Sequence, residues 1–242
     1  MSSTLSPTGS ARRAGLVLGS LLALTIAMPA PASADVTFGL NAGYFALRGE
    51  DARDRNDVIS RNLDFLAFEL DDFNGFTFGG EVYVGLGKYF EAGGGVGFYR
   101  RTVPSVYSGF VDRDGSEIEQ DLRLRVVPVS AAVRIFPFSR EAGVQPYLGA
   151  GVALLSWRYS ETGEFVDFTD FSIFRDTFSD SGSTVGPLLF GGVRLPIGDG
   201  VYVGGEFRYQ DAKVDLDRSL GFAGDRLDVG GYSGLVTFQI KF

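Results

Sequence analysis

The sequence of 242 residues predicts an all-β fold, an eight-stranded antiparallel up-and-down transmembrane β-barrel preceded by a cleavable signal peptide. Three observations predict this fold. An export signal opens the chain, eight later segments alternate apolar and polar residues with period two, and short and long connections alternate between those segments. The closing segment, "YSGLVTFQIKF", has the most regular alternation of the eight.

Residues 1–34 have the layout of a secretory signal peptide. Arg12 and Arg13 precede an apolar run of about 15 residues. Two prolines and then a site of small residues follow this run. The small-residue site contains Ala32 and Ala34, and we expect cleavage after Ala34, so that the mature chain begins at Asp35. The apolar run is short for an uncleaved membrane anchor. The domain organisation is therefore a signal peptide over 1–34 and a barrel over 35–242.

Eight segments of the mature chain read as strands. They are 35–47, 75–87, 90–103, 120–136, 146–160, 185–197, 201–214 and 232–242. In the fourth, apolar residues change phase beside Pro128, which cannot donate to a ladder, and this predicts a β-bulge. Connections at 87–89, 137–144 and 198–200 are short, whereas those at 48–74, 104–118, 160–185 and 215–229 are long. Short periplasmic turns and long external loops give this alternation.

The C-terminal strand carries a resemblance to a known family. Tyr232, Val236, Phe238, Ile240 and the terminal Phe242 lie at alternate positions. With the export signal and the loop alternation, residues 35–242 resemble the small eight-stranded outer-membrane β-barrel proteins, either OmpA-like or OmpW-like. The resemblance implies a location in the outer membrane of a Gram-negative bacterium. It also implies that the C-terminal pattern is read by the barrel-assembly machinery, and that outer-membrane lipids and lipopolysaccharide surround a monomer.

The alternation assigns a face to each side chain. We expect a lipid-facing aromatic belt of Phe38, Tyr44, Phe76, Phe78, Phe98, Tyr147, Trp157, Tyr159, Phe207, Tyr209, Tyr232 and Phe242. We expect a polar network inside the barrel made of Glu81, Arg101, Arg123, Arg125, Arg134, Arg158, Arg194, Glu206, Arg208 and Lys241. An eight-stranded lumen is filled by its own side chains, so these charges should pair. A narrow, anion-favouring passage is the alternative.

Composition excludes several classes of function. The chain has no Cys, which excludes disulfides and thiolate metal sites. It also has no His, and outer-membrane barrel enzymes commonly use a His as the general base. We therefore expect that the protein is not an enzyme and has no cofactor or metal. The net charge of −8 and the absence of a basic run argue against a nucleic-acid partner.

The third long connection is the predicted place of specific function. Phe165, Phe168, Phe171 and Phe174 alternate there with acidic residues. These side chains either pack among the loops on a hairpin that continues past the membrane, or recognise a ligand or partner. The expected function is a structural or interaction barrel with recognition through its loops. The alternatives are a narrow pore or transporter for small or hydrophobic solutes, and a secreted soluble ligand-binding barrel of lipocalin type.

Overall fold

The computed structural model describes residues 35–242, and these form a closed β-barrel with its loops. The predicted signal peptide, with Ala32 and Ala34, lies outside the described residues. The strands are β1 (Val36–Leu47), β2 (Gly75–Leu86), β3 (Phe90–Val111), β4 (Glu117–Ile135), β5 (Gln145–Val166), β6 (Ile173–Gly198), β7 (Val201–Gln210), β8 (Lys213–Asp215), β9 (Arg226–Asp228) and β10 (Gly231–Lys241). One helix, α1, spans Val58–Asn62, and short 3-10 turns span Glu50–Ala52, Leu70–Phe73 and Arg218–Leu220. Within the described residues, no helix is long and apolar enough to cross a membrane.

Eight antiparallel strands close the barrel, as the sequence predicts. Each strand from β1 to β7 pairs with its sequence neighbour, and β10 pairs with both β7 and β1 to complete the ring. The short β8 and β9 form a separate hairpin in the last long connection. Gly87 and Gly200 stand in the tight turns after β2 and β6 with φ of 72° and 71°, a left-handed conformation that favours glycine.

The barrel wall is much taller on one side than on the other. Strands β3, β4, β5 and β6 contain 22, 19, 22 and 26 residues, whereas β1, β2, β7 and β10 contain 10 to 12. A tilted strand needs about 9–11 residues to cross a membrane. The second and third long connections of the sequence are therefore largely strand, and they continue the wall well beyond the apolar belt.

The polarity of the two wall faces reverses where the tall strands leave the belt. In the lower half of β4, Val129 and Val133 face outward and Arg134 is buried inside. In the upper half Leu122 and Leu124 are buried inside while Arg123 and Arg125 point outward. The pairing of β4 with β5 runs without a break from Gln120 to Ile135. The predicted bulge at Pro128 is therefore wrong, because the apolar side chains change from the outer to the inner face while the strand continues in one phase.

Three positions of the predicted aromatic belt are wrong, and the reversal accounts for two of them, Trp157 and Tyr159. Tyr147, Trp157 and Tyr159 on β5 are buried inside the barrel rather than facing lipid. The other nine positions follow the outward phase of their strands, among them Phe38, which meets Phe242 edge to face across β1 and the C-terminus. On β5 the outward face is formed instead by Leu148, Val152 and Leu154, and it ends at Arg158.

An arginine scan on the outer face tests where the belt ends. We expect Val129→Arg, near the middle of the belt, to lower the free energy of unfolding by about 2–4 kcal/mol. Thr162→Arg is the matched control, because Thr162 also points outward but lies above the belt, and it should cost less than about 1 kcal/mol. Urea unfolding of protein refolded into lipid vesicles measures both. Equal losses would contradict the placement of the belt.

Candidate functional site

A compact cluster of charged side chains fills the lower half of the lumen. Glu81 comes from β2, Arg134 from β4 and Glu206 from β7, and all three point inward at adjacent heights. The Arg134 Nη2 atom lies 2.6 Å from Glu81 Oε1 and 3.3 Å from Glu206 Oε2. Arg208, on β7, is paired with Glu206 and lies 3.5 Å from Glu81 Oε2. Each carboxylate therefore meets two guanidinium groups.

A second group of charges lies on the side of the cluster nearest the short turns. Glu91, fully buried on β3, accepts from Arg194 Nη2 at 2.9 Å and from Arg140 Nε at 3.0 Å. Gln145 and Gln239 accept further hydrogen bonds from Arg194 at 2.7 and 3.1 Å. Arg140 stands in the connection after β4 and also reaches Asp35, 3.4 Å away. The two groups together form a continuous charged layer across the lumen, which we call the lumen network.

Aromatic rings complete the lumen network. The guanidinium carbon of Arg134 lies 3.7 Å from the ring centroid of Tyr83, and that of Arg194 lies 4.4 Å from the ring of Phe136. Tyr147 donates its hydroxyl proton to Glu206 Oε2 at 2.9 Å. Burying a guanidinium group whose N–H groups lack acceptors costs free energy. The negative faces of the aromatic rings attract the parts of each guanidinium group that the carboxylates do not contact. These contacts explain why Tyr147 turns inward.

The structure brings together only part of the predicted polar set. Five members, Glu81, Arg134, Arg194, Glu206 and Arg208, lie in the lumen network, and Lys241 pairs with Asp35 at 2.8 Å at the end of the barrel that has the short turns. Sequence reasoning missed Glu91, Arg140, Gln145 and Gln239. Glu91 could have been found, because it stands directly opposite Arg134 in the β3–β4 register. Arg140 could not, because it belongs to a turn, where alternation assigns no face.

Four members of the predicted set lie elsewhere. Arg123, Arg125 and Arg158 are exposed on the outer face of the tall strands, so their assignment to the interior was wrong. They lie above the apolar belt, where the outside of the wall is polar and the inside is apolar. Arg101 has the inward phase but projects past the end of β2, where it is exposed and donates to the backbone carbonyl of Asp72 at 2.7 Å.

The first long connection, residues 48–74, covers the upper opening of the lumen, and we call it the plug loop. Val58 and Ile59 of α1 are fully buried, in one apolar cluster with Leu122, Leu124 and Leu155 of the tall wall. Asp57 caps α1 by accepting from the backbone amides of Ile59 and Ser60 at 3.0 and 3.2 Å. Between this cluster and the lumen network remains a cavity of about 30 Å³, lined by both polar and apolar residues.

Buried ion pairs hold the plug loop against the last connection. Arg53 binds Asp57 through two parallel hydrogen bonds of 3.0 Å and donates to the carbonyl of Asp228 at 2.9 Å. Asp57 also accepts from the backbone amide of Asp228 at 2.7 Å, and Arg48 pairs with the Asp228 carboxylate. Removing one partner from such a pair leaves an uncompensated buried charge. The plug loop is therefore fixed by specific contacts as well as by apolar packing.

A single buried carboxyl group lies beneath α1. Glu161 of β5, beyond the end of the belt at Arg158, accepts from Asn62 Nδ2 at 2.6 Å and from the Tyr159 hydroxyl at 2.9 Å. No basic side chain of the described residues forms an ion pair with it. Burial raises the pKa of the Glu161 carboxyl above its usual range, against the opposing effect of the two hydrogen bonds.

The four phenylalanines of the predicted recognition segment divide between two environments. Phe165 is buried and pairs with Phe174 across the β5–β6 hairpin, their rings stacked 5.7 Å apart. Phe168 and Phe171 are 54% and 65% exposed at the hairpin tip. They contact Phe110 of β3 with ring centroids 5.8 and 6.4 Å away, and Phe168 also meets Phe65 of the plug loop at 6.2 Å. We call Phe65, Phe110, Phe168 and Phe171 the aromatic platform.

Ionisation of Glu161 gives a pH-dependent stability. Because the folded state raises the pKa of this acid, the folded protein holds the proton more tightly than the unfolded chain does. Stability is therefore highest below the unfolded pKa and falls as pH rises through the folded pKa. We expect Glu161→Gln, which keeps the acceptor for Asn62 and Tyr159, to be more stable than wild type at pH 7.5.

The comparison is made by urea unfolding at pH 4 and pH 7.5. The advantage of Glu161→Gln should shrink at pH 4, where wild-type Glu161 is itself neutral. Glu119→Gln is the matched control, because Glu119 is exposed on the outside of β4 and should give no such difference. A constant advantage at both pH values would contradict a raised pKa.

Comparison with known proteins agrees with this architecture. Residues 18–238 match the family model described as "Outer membrane protein beta-barrel domain". The structure of OprG from Pseudomonas aeruginosa is similar, at 12% identity and a TM-score of 0.51, over 87% of this chain and 96% of that one.

Two more distant matches have TM-scores below 0.5. A major outer membrane protein from Thermus thermophilus gives 14% identity and a TM-score of 0.44, over 87% of this chain and all of that one. Neisserial surface protein A gives 13% identity and a TM-score of 0.43, over 87% of this chain and 98% of that one. No curated protein sequence is significantly similar to the chain. The family match covers most of the sequence, and the chain is therefore an eight-stranded barrel of the bacterial outer membrane that belongs to the outer membrane protein beta-barrel domain family.

Proposed function

We propose that this protein is a sealed, non-enzymatic barrel that acts as a structural and interaction protein, with recognition at its extracellular end. The lumen is closed by two separate layers of side chains. The lumen network crosses the lower half, and the plug loop fills the upper opening with Val58 and Ile59 fully buried. A solute on the barrel axis would have to break buried ion pairs of both layers.

The proposed partners follow from the surface of the barrel. The apolar belt contacts outer-membrane lipids, and the exposed side chains above it contact lipopolysaccharide. The terminal strand, with Tyr232, Val236, Phe238, Ile240 and Phe242 all exposed on the outer face, is the proposed signal for the barrel-assembly machinery. The protein works as a monomer, because lipid covers the belt of apolar side chains and no further apolar surface on the membrane-spanning wall needs a second subunit. The lumen contains no histidine, and we infer that the barrel carries out no catalysis.

The aromatic platform is the proposed recognition surface. Phe168 and Phe171 project at the hairpin tip farthest from the membrane, and Phe171 adopts φ of 59°, an uncommon conformation for a bulky residue. Strained backbone at an exposed tip is a feature of binding segments. Acidic residues at 167 and 170 flank the two rings. A partner with an apolar patch bordered by basic or hydrogen-bonding groups fits this surface.

Planar-bilayer recording tests the closure. Pure wild-type protein should give no steady single-channel events, with a general porin as the positive control in the same bilayers. A variant with residues 50–73 replaced by a short linker should also stay closed, because the lumen network remains in place. Steady events from wild-type protein would overturn the sealed barrel and support a narrow pore or transporter for small or hydrophobic solutes.

Binding to octyl-agarose tests the aromatic platform. Proteoliposomes of wild-type protein should be retained, and the double variant Phe168→Ser, Phe171→Ser should be retained roughly tenfold less, because two large apolar side chains leave the surface. Thr169→Ala, Ser172→Ala is the matched control at the same hairpin tip and should bind as wild type does. Equal retention of both variants would contradict an apolar recognition surface.

A further inference from the structure

Three arginines stand side by side on the outer wall of the barrel. Arg100 of β3 is directly opposite Arg125 of β4, which is directly opposite Arg158 of β5. All three side chains are exposed on the outer face. Neighbouring positions across antiparallel strands place side chains about 4.5–5.5 Å apart at Cβ. The three guanidinium groups therefore form one continuous row, which we call the arginine row.

The arginine row has no acidic partner among residues 35–242. Arg134 and Arg194 inside the barrel and Arg53 of the plug loop form ion pairs. By contrast, no carboxylate of the described residues lies within 4.0 Å of the three side chains of the arginine row. These side chains also make no hydrogen bond within this part of the protein. Like charges directly opposite each other destabilise a sheet. An anion that bridges three such side chains would relieve this repulsion.

The height of the arginine row identifies the environment of that anion. On β3, β4 and β5 the outward positions below the row are apolar or small, ending in Phe98, Val127 and Ser156. The row is thus the first charged outward position above the belt on each of these strands. It lies toward the end of the barrel that has the long connections, away from the short turns, and this is the extracellular end in barrels of this type. An anion bound to the arginine row would therefore lie at the headgroup level of the outer leaflet.

The surrounding side chains favour a phosphate group over a carboxylate. Arginine binds phosphate through a planar fork of donors, and neighbouring forks can share one tetrahedral anion. Hydroxyl donors border the row, because Ser181 stands opposite Arg158 and Ser160 stands opposite Arg123. Arg123 is oriented beside the row by a hydrogen bond of 3.1 Å from its Nε to Thr102 Oγ1.

We propose that the arginine row is a binding site for the phosphate groups of an outer-leaflet glycolipid, whose acyl chains lie against the apolar faces of β3, β4 and β5. The site deepens the proposed contact with lipopolysaccharide and rests on it, but it is independent of the aromatic platform and of the closed lumen. Bound in this way, one face of the barrel carries a fixed lipid while the aromatic face of β1, β2, β7 and β10 does not.

Native mass spectrometry of the refolded mature protein in detergent micelles tests the site. The probe is bisphosphorylated lipid A, with fully dephosphorylated lipid A as the paired ligand. We expect wild-type protein to bind the phosphorylated form and to bind the dephosphorylated form roughly tenfold less. The triple variant Arg100→Gln, Arg125→Gln, Arg158→Gln should lose binding by roughly the same factor. The triple lysine variant should be intermediate, because it keeps the charge and loses the fork.

The matched control is Arg55→Gln, Arg113→Gln, Arg218→Gln, which removes the same charge from exposed loop positions and should bind as wild type does. A heat-dependent shift in SDS electrophoresis establishes that each variant is folded. If wild-type protein binds phosphorylated lipid A and the row variant binds it equally well, the site is wrong while the lipid partner stands. If wild-type protein binds neither lipid, both are wrong. Equal competition by inorganic phosphate at the same concentration would overturn the glycolipid in favour of a free anion.

Discussion

Closure of the eight strands into one ring constrains every charged side chain inside the barrel. Such a ring encloses a lumen just wide enough for side chains, so a charge in it has no bulk water to solvate it. The protein meets this constraint with alternating arginine and glutamate side chains from β2, β3, β4, β6 and β7, supported by ring faces. Because each charge shares two or more partners, the strands must hold their register for the lumen network to form.

Glycine makes room for the lumen network. Gly39 faces Glu81 across β1 and β2, and a Cβ atom there would lie 2.7 Å from Glu81 Cγ. At Gly85 a Cβ atom would lie 2.2 Å from an Arg140 nitrogen. A long charged side chain can lie across the inner face of the wall only where the residue beneath it has no side chain. The high glycine content is therefore partly a consequence of charge inside the barrel, in addition to the tight turns.

The sequence predicted the strands better than it predicted which way their side chains point. Alternation located all eight barrel strands, and the C-terminal strand was assigned to the correct faces throughout. Alternation assigned the wrong faces on β4 and β5, where the inward positions are partly polar within the membrane belt but mostly apolar above it. Period-two reasoning assumes that the two environments stay on the same sides along a strand. For a wall of 19 to 26 residues that assumption breaks at the membrane surface, so Arg123, Arg125, Arg158, Trp157 and Tyr159 were all assigned to the wrong face.

The tall wall ties the extracellular contacts to the membrane surface. Leu122 and Leu124 of β4 pack against the plug loop, while Arg123 and Arg125, the residues that alternate with them, face outward at the headgroup level. A strand paired on both sides cannot turn one of these sets without turning the other. An anion that fixes the outer arginines therefore also holds the apolar inner face against the plug loop. The inner face of β4 thus helps to close the lumen, and its outer face is the one that contacts the outer leaflet.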